Sequence, residues 1–398
     1  MFLNREYTLK RYGGIQMKLG LDCFLERDYS LVEKKRVGLL SNLTGVNQSL
    51  QPSIDLLYQH SKVNLVSLFA PEHGIRGDAK EGEHIEFSID PHTGLPVYSL
   101  YGQTRKPTPE MLENIDVVLF DLQDIGSRYY TYIYSMAYMM EACQEQNKTF
   151  IVLDRPNPIG GLNVEGNLVE EGFQSFVGLL PIPNRHGMTV GELALLFKHE
   201  FGYQCDLHIV KMEGWSRDRL HNDTGYAWVP PSPNAPSLDM ALLYPGTCLI
   251  EGTNLSEGRG TAKPFEQFGA PFINGFELAQ AINRLHLPGV IARQASFVPT
   301  YQKYNGTQCH GVQLHLTDTS LYEPFSSGIK IIQLIAERYP EHFRFNKPTS
   351  GHYMFDLLAG TDSLRRAIRN GDLTSFFTTS KKQSEAFLKQ RSRYLLYS

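Results

Sequence analysis

Short apolar runs that alternate with helical patterns constrain the fold of the first half of this chain more than any other feature. Strands are predicted at residues 35–40, 63–70, 116–122, 149–153 and 207–212. These runs are too uniformly apolar for a half-exposed sheet, which is typical of parallel strands covered on both faces. Between the third and fourth runs, Ile133, Met136 and Met140 share one helical face, and another helix is predicted from Gly191. We therefore predict a doubly wound α/β domain with a mostly parallel sheet.

A proline-rich segment, VPPSPNAP at residues 229–236, marks the passage into a second region, because it cannot continue a helix or a central strand. Beyond it, helices are predicted at 275–285, 328–339, 361–370 and 381–391, with a strand of alternating pattern at 311–317. We predict three parts: an N-terminal extension (1–16), the α/β domain (17–228) and a smaller α+β domain (229–398).

Charge and cysteine content exclude several classes of partner. The chain carries 38 Lys and Arg against 42 Asp and Glu, a formal charge of -4 without long like-charged runs, so nucleic acid is not expected as a partner. Its five cysteines are far apart and lack zinc-type spacing, as in proteins of a reducing compartment. No stretch has the roughly 18 consecutive apolar residues of a membrane span, and no signal peptide is visible. We therefore expect a cytoplasmic protein without a membrane span.

Polar segments follow four of the predicted strands, where open α/β sheets bind ligands. They are SNLTG (41–45), PEHGIRG (71–77), DLQDIGSRYY (121–130) and DRPNP (154–158). The candidate site residues in or beside them are Asn42, Glu72, His73, Asp124, Arg128, Tyr129, Tyr132, Asp154, Arg155 and Asn157. Tyrosines are included because they stack on sugars and donate to sugar hydroxyls. Because the carboxyl ends of parallel strands share one edge, we expect a single polar crevice.

Two further segments add candidates. Arg185 and His186 precede the helix near Gly191, for which Thr189 is the expected cap, and Glu257 and Arg259 lie in a glycine-rich loop at 250–261. Structural alternatives remain open for several pieces. Residues 72–74 could form a surface turn, Asp124 and Arg128 could be an i,i+4 pair, Asp154 could be a cap, and the loop at 250–261 could be mobile.

Common cofactor and nucleophile motifs are absent from the sequence. Neither G-x-G-x-x-G after the first strand nor a P-loop occurs, and H-E-x-x-H and G-x-S-x-G are also missing. We expect no cofactor and no metal. A crevice rich in carboxylates, arginine, histidine and tyrosine suits hydrolysis of a polar substrate by carboxylates.

The chain resembles the exo-β-N-acetylmuramidase family. The matching segments include FAPEHGIRG (69–77), TGLPVYSLYG (93–102), DLQDIGSRYYTYI (121–133), VLDRPNP (152–158), RHGMTVGELA (185–194) and YPGTCLIEGTNLSEGRGTAKPFE (244–266). The resemblance implies a Rossmann-like domain paired with a smaller one and no nucleotide. It also implies release of N-acetylmuramic acid from the non-reducing ends of peptidoglycan-derived chains, and the missing signal favours recycling of fragments inside the cell.

We therefore expect a glycoside hydrolase whose active site lies in the cleft between the domains and whose substrates are peptidoglycan-derived saccharides. Glu72 is the expected general acid, and its partner is Asp124 ahead of Asp154 and Glu257. Arg259 and Arg128, ahead of Arg185, are expected to pair with the lactyl carboxylate of muramic acid. The alternatives are a non-catalytic muropeptide-binding protein and an amidase or esterase, although the latter lacks a nucleophile motif. The acid content of the crevice favours the hydrolase.

Overall fold

A seven-stranded sheet forms the frame of the first domain in the computed structural model, which describes residues 17–72, 74–77, 87–102, 104–348 and 351–398. Its strands are β1 (Arg36–Ser41), β2 (Asn64–Ala70), β3 (Phe87–Ile89), β4 (Pro96–Ser99), β5 (Val117–Asp121), β6 (Thr149–Leu153) and β7 (Asp206–Val210). Their spatial order is β3-β4-β2-β1-β5-β6-β7. All neighbours pair in parallel except β3 and β4, which are antiparallel.

Helices cover both faces of this sheet. They are α1 (Gly20–Glu26), α2 (Ser53–Gln59), α3 (Pro109–Leu112), α4 (Tyr132–Glu145) and α5 (Val190–Glu200). Side chains alternate across β5, so that Val117 and Leu119 pack with α1 and α2, whereas Val118 and Phe120 pack with α4 and α5. Thr189 caps α5 as expected, because its hydroxyl accepts from the Glu192 amide while the Glu192 carboxylate accepts from the Thr189 amide.

The predicted fold class is confirmed. Each of the five predicted strands occurs with ends shifted by no more than two residues, and the four strands followed by polar segments, β1, β2, β5 and β6, are adjacent and parallel. The strand order reverses direction between β1 and β5, which creates the crevice expected of a doubly wound sheet. Strands β3 and β4 were not predicted, since they have only three and four residues and are partly exposed.

A three-stranded antiparallel sheet and six helices build the second domain in the described part of the chain. They are α6 (Leu238–Thr247), β8 (Gln267–Ala270), α7 (Gly275–Asn283), β9 (Val290–Phe297), β10 (Cys309–Leu316), α8 (Pro324–Arg338), α9 (Met354–Ala359), α10 (Ser363–Asn370) and α11 (Thr374–Arg391). Short 3-10 turns occur at Asp28–Val32, His221–Asp223 and Cys248–Gly252. Within the described ranges, no helix is long and apolar enough to cross a membrane.

The C-terminal end of the chain returns to the first domain. Phe387 on α11 belongs to the apolar core that covers α4 and α5. Arg391 donates to the carbonyl oxygens of Gly161 and His186, at 3.0 and 3.1 Å, and also to that of Gly187. The C-terminal part of α11 therefore joins the two domains, although this helix follows the rest of the second domain in sequence.

Candidate active site

A pocket with an empty volume of about 910 Å³ opens between the two domains at the carboxyl edge of the large sheet. The first domain lines it with Glu72, Tyr101, Arg105, Tyr129, Tyr130, Thr131, Tyr132, Phe176 and Val177. The second region lines it with Ser232, Asn234, Met240, Tyr244, Cys248, Glu251, Arg259, Phe265 and Leu358. Each domain thus contributes one glutamate and at least one arginine to the same pocket.

Glu72 is the predicted catalytic residue that reaches this pocket. It follows β2 directly, and its side chain is half-buried. No hydrogen bond or ion pair to another described residue engages its carboxyl group, so this group is available to a substrate. His73, the neighbouring candidate, lies outside the described residues.

Tyr132 is a pocket residue held by partners from both domains. The Asn42 side-chain amide donates to the Tyr132 hydroxyl over 2.7 Å, and this hydroxyl donates to the carbonyl oxygen of Pro231 over 2.5 Å. Burial raises the pKa of the Tyr132 hydroxyl, and the nearby charge of Glu72 contributes in the same direction. Asn42 therefore contacts a residue of the pocket wall without lining the pocket itself.

Aromatic rings form much of the pocket wall. The centroids of Tyr130 and Tyr132 lie 4.8 Å apart, and those of Tyr244 and Phe265 also lie 4.8 Å apart, both in edge-to-face geometry. Tyr130 packs edge-to-face on Tyr244 at 6.4 Å, which joins the two pairs across the domain boundary, and Tyr129 packs on Tyr244 in the same way at 6.1 Å. Such surfaces suit the faces of sugar rings.

The glycine-rich loop places charged groups on the side of the pocket formed by the second domain. Arg259 Nη2 lies 3.3 Å from Glu251 Oε2, and Arg259 Nε lies 3.4 Å from Glu257 Oε1. Lys303 Nζ lies 2.9 Å from Glu257 Oε2 and also donates to the carbonyl oxygens of Glu251 and Leu255. The Glu257 side chain is only 1% exposed and does not line the pocket. Glu257 therefore pairs with Arg259 from the buried side, whereas Glu251 lines the pocket.

Burial raises the pKa of the Glu251 carboxyl group above its ordinary value. The charge of Arg259 acts in the opposite direction, and that of Glu257 adds to the rise. Glu251 therefore holds its proton to a higher pH than an exposed glutamate does, which is typical of carboxyl groups with a catalytic role.

Asp124 and His186 lie together behind the pocket wall. Asp124 Oδ2 accepts from the Gly126 amide over 2.7 Å and lies 3.7 Å from His186 Nε2. His186 is fully buried, and its Nδ1 accepts from the Met188 amide. Neither residue lines the pocket, so neither contacts a substrate bound in it without rearrangement.

Arg128 lies between the domains and is bonded entirely to backbone. Its guanidinium donates to the carbonyl oxygens of Asn167 (2.6 Å), Ile182 (2.9 Å), Leu358 (2.9 Å) and Ala359 (2.9 Å). The side chain is fully buried and does not line the pocket. The expectation that Arg128 binds substrate is therefore replaced by a structural role, because these four carbonyl groups occupy the donors of both of its Nη atoms.

Asp154 and Arg155 are also held by other parts of the first domain. Asp154 is fully buried and accepts hydrogen bonds from the Thr189 hydroxyl and the Gly191 amide, both over 2.8 Å. Arg155 forms a bidentate pair with the buried Asp121, at 2.6 and 2.9 Å. Because their polar atoms are occupied in this way, these two candidates position the ends of β5 and β6.

Asn157 and Arg185 complete the set of candidates that lie away from the pocket. The Asn157 side chain donates to the carbonyl oxygen of Met188 over 3.0 Å and accepts from the Ile159 amide over 3.1 Å. Arg185 pairs with Glu165 at 2.9 Å and donates to the Ile159 carbonyl oxygen over 2.8 Å. Both side chains are buried, and they stabilise the loops behind the crevice.

Sequence reasoning missed two charged residues of the pocket, Arg105 and Glu251. Glu251 lies in the same glycine-rich loop as Glu257, and both were visible as acids there, but only the structure shows which one faces the pocket. Arg105 comes three residues after the TGLPVYSLYG segment, which ends at Gly102. Its position close to a family-like segment was visible in the sequence, but nothing in the sequence indicated that its charge faces the pocket. Among the residues with described positions, no cluster of three or more His, Cys, Asp or Glu could hold a metal ion.

Comparisons with known proteins agree with this architecture. Residues 37–239 match the N-terminal part of the exo-β-N-acetylmuramidase NamZ family, and residues 242–397 match its C-terminal part. The peptidoglycan β-N-acetylmuramidase NamZ of Bacillus subtilis (strain 168) is 50% identical over 383 residues, which cover 96% of this chain and 92% of that protein.

Two crystal structures of DUF1343 family proteins from Bacteroides fragilis share the fold. One has a TM-score of 0.89 at 41% identity, with 96% of this chain and 100% of that chain covered. The other has a TM-score of 0.77 at 31% identity, with 96% and 99% covered. Because the two family matches together span nearly the whole chain, this protein belongs to the exo-β-N-acetylmuramidase NamZ family.

Proposed function

We propose that this protein is an exo-acting glycoside hydrolase that releases terminal β-1,4-linked N-acetylmuramic acid from the non-reducing ends of peptidoglycan fragments. Family membership and the printed activity of the B. subtilis relative support the reaction. The observation that carries the proposal is the pocket between the domains, which Glu72 and Glu251 line from different domains. Recycling of such fragments inside the cell stays a prediction.

Hydrolysis of a glycosidic bond generally uses two carboxyl groups that flank the bond. We assign the general acid to Glu72, because its carboxyl group is unengaged by the described residues and can protonate the departing glycosidic oxygen. Glu251 is the partner carboxylate. Its ion pair with Arg259 opposes the effect of burial and favours the charged form, and in that form Glu251 presents a negative charge to the positive charge that develops on the sugar ring.

This assignment replaces Asp124, Asp154 and Glu257 as the partner of Glu72. All three are buried and do not line the pocket: Asp124 accepts a hydrogen bond from the Gly126 amide, Asp154 accepts one from the Thr189 hydroxyl, and Glu257 accepts one from Lys303. Glu251 is therefore the only glutamate or aspartate besides Glu72 that lines the pocket in the described part of the chain.

A non-catalytic muropeptide-binding protein is the second candidate function, since the pocket offers an aromatic surface for sugars. Two carboxylates in one small pocket favour the hydrolase, because recognition of neutral hydroxyl groups does not require buried negative charge. The two functions differ in a single measurement, which is the appearance of free N-acetylmuramic acid.

The test is incubation with a MurNAc-GlcNAc disaccharide and identification of the products by mass spectrometry. The wild-type protein is expected to release both monosaccharides, and Glu72→Gln is expected to lose about 10²- to 10⁴-fold in kcat while it stays folded. Glu113→Gln, an exposed glutamate of the same domain, is the matched control and should keep full activity. Binding without product release by the wild-type protein would favour the sugar-binding function instead.

A further inference from the structure

Arg105 differs from the other arginines considered for substrate recognition in having no described anionic partner. Arg259 pairs with Glu251 and Glu257, Arg155 with Asp121, and Arg185 with Glu165, while Arg128 is occupied by carbonyl groups. Arg105 lines the pocket and is exposed, and no carboxylate or carbonyl oxygen among the described residues pairs with its guanidinium. Among the described residues of the pocket, Arg105 therefore carries the uncompensated positive charge.

Phe176 holds the guanidinium of Arg105 in place. The Arg105 Cζ atom lies 4.0 Å from the centroid of the Phe176 ring, within the range of a cation–π contact. Phe176 is itself stacked on Tyr138 of α4, with centroids 6.3 Å apart and planes inclined by 22°. This stack of Tyr138, Phe176 and Arg105 anchors the guanidinium to the first domain.

Stacking on an aromatic ring leaves the edge of a guanidinium free. All of the N–H donors of arginine lie in its plane, so contact of one face with Phe176 does not consume them. A planar anion with two oxygens can accept two parallel hydrogen bonds from that edge, which is the geometry that arginine and carboxylates prefer. Arg105 is therefore prepared for a carboxylate ligand.

The charge distribution in the pocket selects where a carboxylate of the substrate can lie. The ionised Glu251 repels it, and the charge of Arg259 is already balanced by Glu251 and Glu257. In the substrate of the proposed function, muramic acid differs from glucosamine by a 3-O-lactyl ether that ends in a carboxylate. Among the charged side chains of the pocket described here, Arg105 is therefore the one that attracts this group.

We infer that Arg105, stacked on Phe176, binds the lactyl carboxylate of the terminal muramic acid and thereby sets the preference for muramides over glucosaminides. The inference rests on the proposed function for the identity of the ligand. It moves the recognition of this carboxylate from Arg259 and Arg128 to a residue of the segment that follows β4.

The experiment compares chromogenic aryl β-N-acetylmuramide with its lactyl methyl ester and with the glucosaminide, for the wild-type protein and Arg105→Gln. We expect Arg105→Gln to lower kcat/KM for the free acid by about 10- to 100-fold, mainly through KM, because charge-assisted hydrogen bonds are lost. The methyl ester and the glucosaminide should change by less than about threefold, since neither carries the charge. Arg105→Lys should restore part of the preference, because it keeps the charge without the planar fork.

Arg366→Gln is the matched control, since Arg366 is an exposed arginine of α10 that pairs only with Asp362 in the described structure. It should leave all three substrates unchanged. A wild-type ratio of free acid to methyl ester in Arg105→Gln would overturn the inference while leaving the proposed function intact. If the wild-type protein hydrolyses none of the three, the proposed function fails. Calorimetric binding of N-acetylmuramic acid and its methyl ester to both proteins then decides the role of Arg105 on its own.

Discussion

The hydroxyl group of Tyr397 donates a hydrogen bond of 2.6 Å to the buried carboxylate of Asp154, which ties the C-terminal segment to the end of β6. The Tyr397 oxygen also accepts from the Met212 amide over 3.0 Å, and its ring packs edge-to-face on Trp215 at 5.1 Å. Leu396 adds a second link through its amide, which donates to Glu192. Asp154 therefore links the first domain to the C-terminal segment that follows α11.

Replacement of Tyr397 by Phe should lower stability without changing catalysis. It removes a donor to a buried carboxylate, which costs about 1–3 kcal/mol in the free energy of unfolding. Because Asp154 does not line the pocket, kcat and KM should stay at wild-type values. Urea unfolding and steady-state kinetics check the two parts. Tyr394→Phe is the control, since the Tyr394 hydroxyl donates to Glu200 near the surface. A fall in kcat for Tyr397→Phe but not for Tyr394→Phe would indicate that Asp154 contributes to catalysis.

Asp154 should also make stability depend on pH. Complete burial raises its pKa to about 7, although hydrogen bonds from Tyr397 and the Gly191 amide act in the opposite direction. In the unfolded chain the pKa is about 3.9, so between about pH 4 and 7 the folded protein binds more protons at this group. Stability from this group is therefore lost as the pH rises through that range, by at most about 1.4 kcal/mol per pH unit.

Unfolding of the wild-type protein and Asp154→Asn at pH 5 and pH 8 measures this effect, since all other titrating groups are shared. The advantage of the wild-type protein over the variant should be smaller at pH 8 than at pH 5. An equal difference at both pH values would show that Asp154 has an ordinary pKa in the folded protein.

Arg128 should be required for the folded structure. Its replacement by Ala removes hydrogen bonds to four buried carbonyl groups, of which that of Ala359 keeps a donor in the Asn167 side chain, and each buried group left unsatisfied costs about 1–3 kcal/mol. We expect the free energy of unfolding to fall by more than about 3 kcal/mol, with loss of soluble protein as the extreme result. Arg105→Ala, measured by the same thermal and urea unfolding, should have little effect. An Arg128→Ala protein with wild-type stability and an altered substrate preference would contradict the structural role.

The difference between Arg128 and Arg259 shows how far the sequence can predict the site. Both occupy family-like motifs and both carry a charge suited to a carboxylate, so local sequence cannot separate them. Their environments differ because the carbonyl groups of Leu358 and Ala359, which surround Arg128, come from a segment about 230 residues away. Such distant partners leave no mark on the local pattern.

Strand positions were predictable for a related physical reason. The apolar runs of β1, β5 and β6 are uniform because helices cover both faces of the sheet, and that requirement is local and repeated along each run. The predicted crevice followed from the polar residues after these strands. The second domain decides which of those residues line the pocket, because it supplies Glu251 and half of the pocket wall. The way in which this domain packs against the first is not visible in the hydrophobic periodicity of either sequence region.

The pH dependence of hydrolysis should report the ionisation of Glu251. In the proposed mechanism this carboxyl group must be ionised, and burial raises its pKa. A carboxyl group with a raised pKa retains its proton to a higher pH, so as the pH falls kcat/KM should decline at a higher pH than an ordinary glutamate would cause. This decline, the acid limb of the pH profile of kcat/KM, reports the pKa of Glu251 in the free enzyme, in which the ion pair with Arg259 is present.

Two variants should move this limb in opposite directions. Glu257→Gln removes a neighbouring negative charge that raises the pKa of Glu251, so the limb should shift to lower pH. Arg259→Gln removes a positive charge that lowers it, so the limb should shift to higher pH, with a lower kcat because the carboxylate loses its ion pair. Glu385→Gln, an exposed glutamate on α11, should leave the limb in place. If neither Glu257→Gln nor Arg259→Gln moves the limb, a group other than Glu251 limits hydrolysis at low pH, and Glu251 loses its role as the ionised partner of Glu72.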